Sequence, residues 1–226
     1  MKGMLFSMLL MGLLIGGGLY VHYYLPPMYK PWAPLNLENP VGPFTEIKIA
    51  KLANDPQMCH SVLDQADIEY SVLPDKAAGS CELENRIELD RSLYPYSASV
   101  AAKCSLVTAI TLWEREVVQK AAELHLDSPV AKINHFGIFS CRNVQGSRRI
   151  SQHASENAID IAGFVLKNGQ TISVLRDWPK DSPESDFLKY VHENSCSIFK
   201  GVLGPEYNNL HRDHFHLDLG PYNICV

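Results

Sequence analysis

Two short segments of the chain contain most of the side chains that could do chemistry. Residues 151–160 include His153 and Asp160, and residues 211–218 read His-Arg-Asp-His-Phe-His-Leu-Asp. Histidine and carboxylate side chains bind transition metals and transfer protons in proteins. The residue types in the two segments therefore indicate a metal site or an acid–base site.

The second segment alternates polar and apolar residues, as a half-buried strand does. Alternate residues of a strand share a face, so we expect His214, His216 and Asp218 to point one way. Phe215 and Leu217 would then point into the core. Two imidazoles on one strand face can serve one metal ion, or a metal ion and its water. Because His-x-His pairs also arise by chance, this segment alone does not establish a metal site.

Asp160 lies in an apolar stretch, Ala158–Gly163, that also predicts a strand. A carboxylate there is costly unless it is paired or bound to a cation. If the two strands are neighbours, Asp160 meets His216, and the loop with His153 folds over both. Two histidines and a carboxylate, with a fourth position open to water, form a recurrent catalytic zinc arrangement that suits amide hydrolysis. The plainer alternative is a surface histidine and a hydrogen-bonded aspartate.

The elements that must position these groups are visible as changes of hydrophobic period. Apolar residues at steps of three and four predict a helix over 97–126, which we interpret as core packing. Shorter apolar runs predict strands, Asn168-Gly169 predicts a hairpin, and Ser182-Pro183 predicts a helix start. The predicted strands are 136–141, 158–166, 171–175 and 214–219. The expected fold is α+β, with a small antiparallel sheet that carries the metal site and packs against helices.

The N-terminal half predicts three further parts. Residues 1–24 include the uncharged run Met4–Val21, long enough for a membrane helix, and the alternative is a cleaved signal peptide. Residues 25–45 contain six prolines and predict a linker. Residues 46–96 predict an irregular lobe held by a disulfide, and residues 97–226 the catalytic core.

Composition restricts the compartment and the partners. The chain has 20 Lys and Arg against 25 Asp and Glu, a net charge of −5, which argues against a nucleic-acid-binding protein. Its six cysteines form no Cys-x-x-Cys pair, so a thiolate zinc site is not expected. We expect instead that the protein is exported and that its cysteines form disulfides. Pairing of sequence neighbours would give Cys59–Cys81, Cys104–Cys141 and Cys196–Cys225. The expected location is outside the cytosol, with the membrane contacted through the N-terminal helix.

Several motifs together resemble a known family. They are Cys141-Arg142, Ser151-x-His153, Ala158-x-Asp160, Leu-Gly-Pro-Glu-Tyr-Asn at 203–208 and the segment 211–218. The set resembles the extensin-like C-terminal domain family of bacteria over roughly residues 55–226. More distantly it is similar to the zinc peptidases that include lysostaphin-type enzymes, D-alanyl-D-alanine peptidases and the hedgehog signalling domain.

The resemblance implies roles for individual residues. His153, Asp160 and His216 would bind Zn²⁺. His214 would assist the attacking water or stabilise the oxyanion, and Asp213 is the alternative general base. On a regular strand Asp213 would face away from His216, which favours His214. Arg142 would polarise the substrate carbonyl or hold a substrate carboxylate.

The resemblance also implies a function and leaves an alternative open. It implies that residues 46–226 are a zinc peptidase domain acting on peptidoglycan peptides, as an endopeptidase or a carboxypeptidase. The location would be the periplasmic face of the bacterial inner membrane, or the periplasm after cleavage.

Relatives usually have glycine at the position of Glu156, where glutamate would be strained if the backbone is left-handed. Glu156 therefore supports the alternative, a non-catalytic envelope module that binds cell wall or a partner. From the residues alone, His211 and Asp218 are candidates to contact substrate and to orient a ligand imidazole, respectively.

Overall fold

The computed structural model describes residues 2–226, and it has the predicted mixed α+β architecture. The α-helices are α1 (Lys2–Tyr24), α2 (Thr45–Leu52), α3 (Pro56–Asp64), α4 (Cys104–Trp113), α5 (Lys120–His125), α6 (Val174–Asp177) and α7 (Pro183–Ser195). The strands are β1 (Glu69–Val72), β2 (Lys76–Ala78), β3 (Cys81–Leu83), β4 (Arg86–Arg91), β5 (Val100–Lys103), β6 (Val130–Gly137), β7 (Ala158–Leu166), β8 (Thr171–Ser173), β9 (Gly201–Leu203), β10 (Phe215–Asp218) and β11 (Ile224–Cys225).

The largest sheet holds the chemistry-bearing segments. Its strand order is β11-β9-β10-β7-β6, and β8 pairs with β7. All its pairs are antiparallel except β11 with β9. The hydrophobic core lies between this sheet and the helices, and Trp113, Phe164 and Phe187 are among its largest fully buried side chains.

Strand bounds agree with the sequence pattern for β7 but not for β6 or β8. The strand 158–166 is confirmed, and α7 begins at the predicted Ser182-Pro183, where the Ser182 hydroxyl caps the helix. The strand predicted over 136–141 is displaced to β6, because the chain leaves the sheet after Gly137 and turns toward a disulfide at Cys141. Strand β8 is shorter than predicted, since residues 174–177 form a helical turn.

The long helix predicted over 97–126 begins instead at Cys104. Residues 100–103 form β5, which pairs with β4, and Val100 and Ala102 are buried. This stretch therefore follows a period of two, and Val100 satisfies the strand as well as the helix pattern. Every residue of α4 is buried, and a π-helical segment, Glu114–Gln119, joins it to α5.

The region predicted to be an irregular lobe is regular and belongs to the same core. Residues 45–103 form α2, α3, the three-stranded sheet β1-β4-β5 and the hairpin β2-β3, and we call this region the small lobe. Ile87 and Leu89 alternate with polar residues in β4, but the other strands of this lobe have only three or four residues and are too short to show a period. The predicted linker also packs on the domain, because Leu35 and Leu37 are buried in the core and Lys48 Nζ donates to the Pro27 carbonyl at 2.8 Å.

Two of the three predicted disulfides are wrong. The pairs are Cys59–Cys104, Cys81–Cys141 and the predicted Cys196–Cys225. Helix α3, which carries Cys59, packs against α4, which begins with Cys104. Disulfide partners are therefore decided by element packing and not by order along the chain.

The N-terminal helix stands apart from this core. Its segment Phe6–Tyr24 has a mean hydropathy of 1.4 and none of it is buried. By length and composition it could cross a membrane or act as a signal sequence.

Candidate metal centre

Strands β7 and β10 bring the first two candidate ligands face to face. Asp160 and His216 are directly opposite each other in the antiparallel register. His216 Nδ1 lies 3.0 Å from Asp160 Oδ1. The neighbouring residues Ile161 and Phe215 are fully buried, so the apolar faces of both strands fix this register.

The third candidate ligand comes from the turn before β7. Ser151 caps a short 3₁₀ turn, Gln152–Ser155, that carries His153. The His153 Nδ1–H donates to the Ile138 carbonyl at 2.8 Å, which leaves Nε2 free. His153 Nε2 lies 3.1 Å from both Asp160 Oδ1 and His216 Nδ1.

These three atoms form a nearly equilateral triangle that could hold a metal ion. Its sides are 3.0, 3.1 and 3.1 Å. Ligand atoms 2.0–2.1 Å from a tetrahedral zinc ion lie about 3.3 Å apart. The donor set and its spacing therefore fit a divalent metal ion such as zinc, and sequence reasoning selected the same three residues.

Asp218 orients His216, as expected from the strand pattern. His216 Nε2–H donates to Asp218 Oδ2 at 2.8 Å, so Nδ1 faces the cluster. The carboxylate also accepts bonds from the Gly220 amide at 2.6 Å and the Tyr222 hydroxyl at 2.9 Å. A Cβ at Gly201 would lie 2.3 Å from Asp218 Oδ2, so only glycine leaves room for the carboxylate.

The charges of the cluster are strongly coupled. Burial opposes charge on Asp160, but its close contacts with the His153 and His216 rings hold its pKa well below the usual range. Burial likewise lowers the pKa of His216, but its hydrogen bonds to Asp160 and Asp218 raise it to about 9. A metal ion bound here would replace the proton that His216 otherwise carries.

His214 and Asp213 lie beside the cluster but ahead of the strand. Strand β10 begins at Phe215, so the expected strand alternation does not apply to either residue. His214 Nδ1–H donates to Asp213 Oδ1 at 2.9 Å, and His214 Nε2 lies 3.6 Å from Asp160 Oδ1. Asp213 therefore orients His214.

A cleft of about 650 Å³ opens over the cluster. Arg142 and Arg149 line it from one loop, in which the Val144 amide donates to the Arg149 carbonyl at 2.8 Å. Neither guanidinium forms an ion pair with any residue that the structure describes. His211 also lines the cleft, and burial and the neighbouring His214 and His216 lower its pKa to about 4.

Sequence reasoning did not assign Tyr207 or Tyr222 to this cleft. Tyr207 belongs to the motif 203–208 and could have been found from it, whereas Tyr222 carried no signal. The sequence indicates Arg149 mainly as a solvated loop charge, but its guanidinium lies 5.8 Å from the centre of the Tyr222 ring. Tyr222 and Arg149 therefore line the cleft next to Asp218, to which the Tyr222 hydroxyl donates.

Glu156 adopts the left-handed backbone that its position was expected to require. Its φ is 54° and its ψ is 36°. Even so, the turn still places His153 Nε2 within 3.1 Å of both Asp160 Oδ1 and His216 Nδ1.

A comparison with protein families found a match for most of the chain. Residues 57–226 match the family described as extensin-like protein C-terminus. The chain belongs to this family. The match includes all residues of the cluster and the cleft. Comparison with curated proteins and with solved structures found no match.

Proposed function

We propose that this extensin-like chain is a zinc-dependent peptidase that hydrolyses amide bonds of peptidoglycan peptides. The observation that carries the proposal is the triangle of His153, Asp160 and His216 atoms at the floor of an open cleft. The chemistry that zinc supplies when bound is a water of lowered pKa, about 7, and a polarised carbonyl.

The protein's own residues divide the remaining tasks. Because Asp213 accepts the Nδ1–H of His214, Nε2 of the neutral ring can take a proton at the edge of the cluster. Protonated, the same nitrogen can donate to an oxyanion. Arg142 lines the cleft, where its guanidinium can bind a substrate carbonyl or carboxylate.

We base the proposed substrate class on the location outside the cytosol and on the resemblance to peptidoglycan peptidases. Three disulfides and an apolar N-terminal helix support a location outside the cytosol. We propose the periplasmic face of the bacterial inner membrane, with the helix as an uncleaved anchor. Fractionation of cells tests this location: a membrane-bound protein with the 25.3 kDa mass of the 226 residues would support the anchor, and a smaller soluble product would support a cleaved signal.

The test uses the full-length chain purified in detergent. We expect about one zinc ion per chain, and chelator-sensitive release of peptide fragments from purified sacculi, identified by mass. His216→Ala should abolish both. His60→Ala in the small lobe is the control and should change neither. Full cleavage by the His216→Ala protein would refute the proposal.

The alternative function is a non-catalytic module that binds cell wall. Its support in the sequence was Glu156, yet this residue accommodates the left-handed turn with the three ligand atoms still together. Muropeptide binding that survives His214→Ala, in a parent protein without turnover, would favour the module.

A further inference from the structure

The turn that carries His153 ends in an unusual way. Glu156 closes it with φ of 54°, a backbone conformation that residues other than glycine adopt only at a cost. Its side chain is also buried, with 3% exposed. Its amide donates to the His153 carbonyl at 3.3 Å, and its carbonyl accepts from the Lys103 amide at 3.0 Å. A change in the backbone at Glu156 would therefore be transmitted directly to His153.

The buried Glu156 carboxylate is held by an arginine of the small lobe. Arg86 Nε donates to Oε2 at 2.6 Å and Nη2 donates to Oε1 at 2.8 Å. The third nitrogen, Nη1, donates to the Pro74 carbonyl at 3.2 Å. A paired fork of this kind fixes both position and orientation. Because both groups are largely buried, removing one leaves the other charge uncompensated.

The small lobe contacts the cleft at a second point. Cys81 on β3 is bonded to Cys141, which directly precedes Arg142. One lobe thus holds the turn of a candidate metal ligand through an ion pair and the loop of a candidate substrate-binding arginine through a covalent bond.

We propose that the small lobe clamps the metal centre and that Arg86 is the positioning residue. By holding Glu156 in the left-handed conformation, Arg86 keeps His153 in contact with Asp160 and His216. The metal-affinity part of this inference rests on the proposed zinc site. The positioning of the turn does not, because it concerns the protein alone.

The experiment compares four variants of the full-length protein: Arg86→Met, Glu156→Gln, Glu156→Gly and the double variant Arg86→Met/Glu156→Gly. Zinc affinity is measured by competition with a chelator. Amide hydrogen exchange of residues 151–157 is measured without metal. Arg91→Met is the matched control, because Arg91 lies on the same strand and its ion pair with Glu69 is exposed.

Arg86→Met and Glu156→Gln should each weaken zinc binding by about 10–100-fold, the usual effect of losing a group that supports a ligand. Both should speed exchange in residues 151–157 but not in α7. The zinc affinity of the double variant should be within about threefold of the parent's, since glycine adopts the left-handed backbone and no charge remains unpaired. The zinc affinity of Glu156→Gly alone should lie between that of Arg86→Met and that of the double variant, because Arg86 then has no carboxylate partner.

Two results would overturn the clamp. One is parent-like exchange and zinc affinity in both Arg86→Met and Glu156→Gln. The other is a double variant as impaired as Arg86→Met. If Arg86→Met does not fold, Glu156→Gln and the double variant decide the question. A parent that binds no zinc refutes the proposed function, while the exchange data still decide the clamp.

Discussion

At the scale of single residues, hydrogen bonds decide which ring nitrogens face the cluster. Asp218 accepts from His216 Nε2, and the Ile138 carbonyl accepts from His153 Nδ1. The two histidines therefore present different nitrogens, Nδ1 from His216 and Nε2 from His153. Such supporting groups preorganise a metal site before the ion arrives.

Asp218→Asn should weaken zinc binding by about 10–100-fold. The new amide can donate to His216 Nε2, which would leave the proton on Nδ1, the atom that faces the cluster. Chelator competition measures the change. Tyr222→Phe is the control, since it removes one neutral hydrogen bond to Asp218 and keeps the carboxylate. Parent-like affinity in Asp218→Asn would contradict this reading of the tautomer.

The roles of His214 and Asp213 can be separated by cleavage kinetics. We expect His214→Ala to lower kcat by about 10²–10⁴-fold, the usual contribution of general acid–base catalysis. Asp213→Asn should lower it less, because Asp213 acts through His214. Zinc content should be unchanged in both variants. An equal or larger loss in Asp213→Asn would instead identify Asp213 as the base.

At the scale of elements, the π-helical segment between α4 and α5 buries an acid. Glu114 is fully buried and accepts bonds from Tyr96 Oη at 2.6 Å, Ser92 Oγ at 2.8 Å and the Leu93 amide at 3.1 Å. Burial raises its pKa to about 7, against the opposing effect of these bonds. The carboxyl thus ties the segment before β5 to the central helix.

This raised pKa makes a prediction about pH. The folded state binds the Glu114 proton more tightly than the unfolded state, so the contribution to stability is present below the ordinary pKa of 4.5 and is lost as pH rises through 7. Relative to Glu114→Gln, the parent should lose on the order of 3 kcal/mol of unfolding free energy across that window.

Chemical denaturation at several pH values measures this difference. Glu116→Gln in the same π-helical segment is the control. Burial raises the pKa of Glu116, but its bonds to Lys120 and Arg115 outweigh burial and lower it. The contribution of Glu116 to stability should therefore be lost as pH falls, in a lower pH range than the change due to Glu114. Parallel pH profiles for the parent and Glu114→Gln would contradict the prediction.

At the scale of the whole molecule, the small lobe and the large sheet are joined through the candidate site. The Cys81–Cys141 bond closes a separation of 60 residues, and the Arg86–Glu156 pair joins β4 to the turn before β7. The Cys59–Cys104 bond adds a third connection, between α3 and α4. Cleft geometry and stability of the fold therefore depend on the same contacts.

Removing Cys81–Cys141 should have two effects. The double variant Cys81→Ala/Cys141→Ala should lose about 4 kcal/mol of stability by the chain-entropy relation for this loop length. Amide exchange should also rise in residues 142–150. Cys196→Ala/Cys225→Ala is the control, since it should lose comparable stability without loosening that loop. Unchanged exchange in 142–150 after loss of the first disulfide would contradict the anchoring role.

The candidate ligands could be predicted from local patterns. Alternation in 214–219 and the apolar run around Asp160 predicted two strands, and both strands form as neighbours. The start of the long helix could not be predicted this way, because Val100 fits either period. Strand β5 forms there because β4 supplies a partner, which is a contact between segments and not a property of either one.

The sequence by itself determined the types of the ligand side chains, the apolar N-terminal helix and the strands on which Asp160 and His216 lie. These features follow from residue chemistry and from periods a few residues long. Only the tertiary structure decided that Cys81 bonds to Cys141 and that Arg86 reaches Glu156. Those pairs are far apart in the chain, and the packing of two sheets and several helices brings them together.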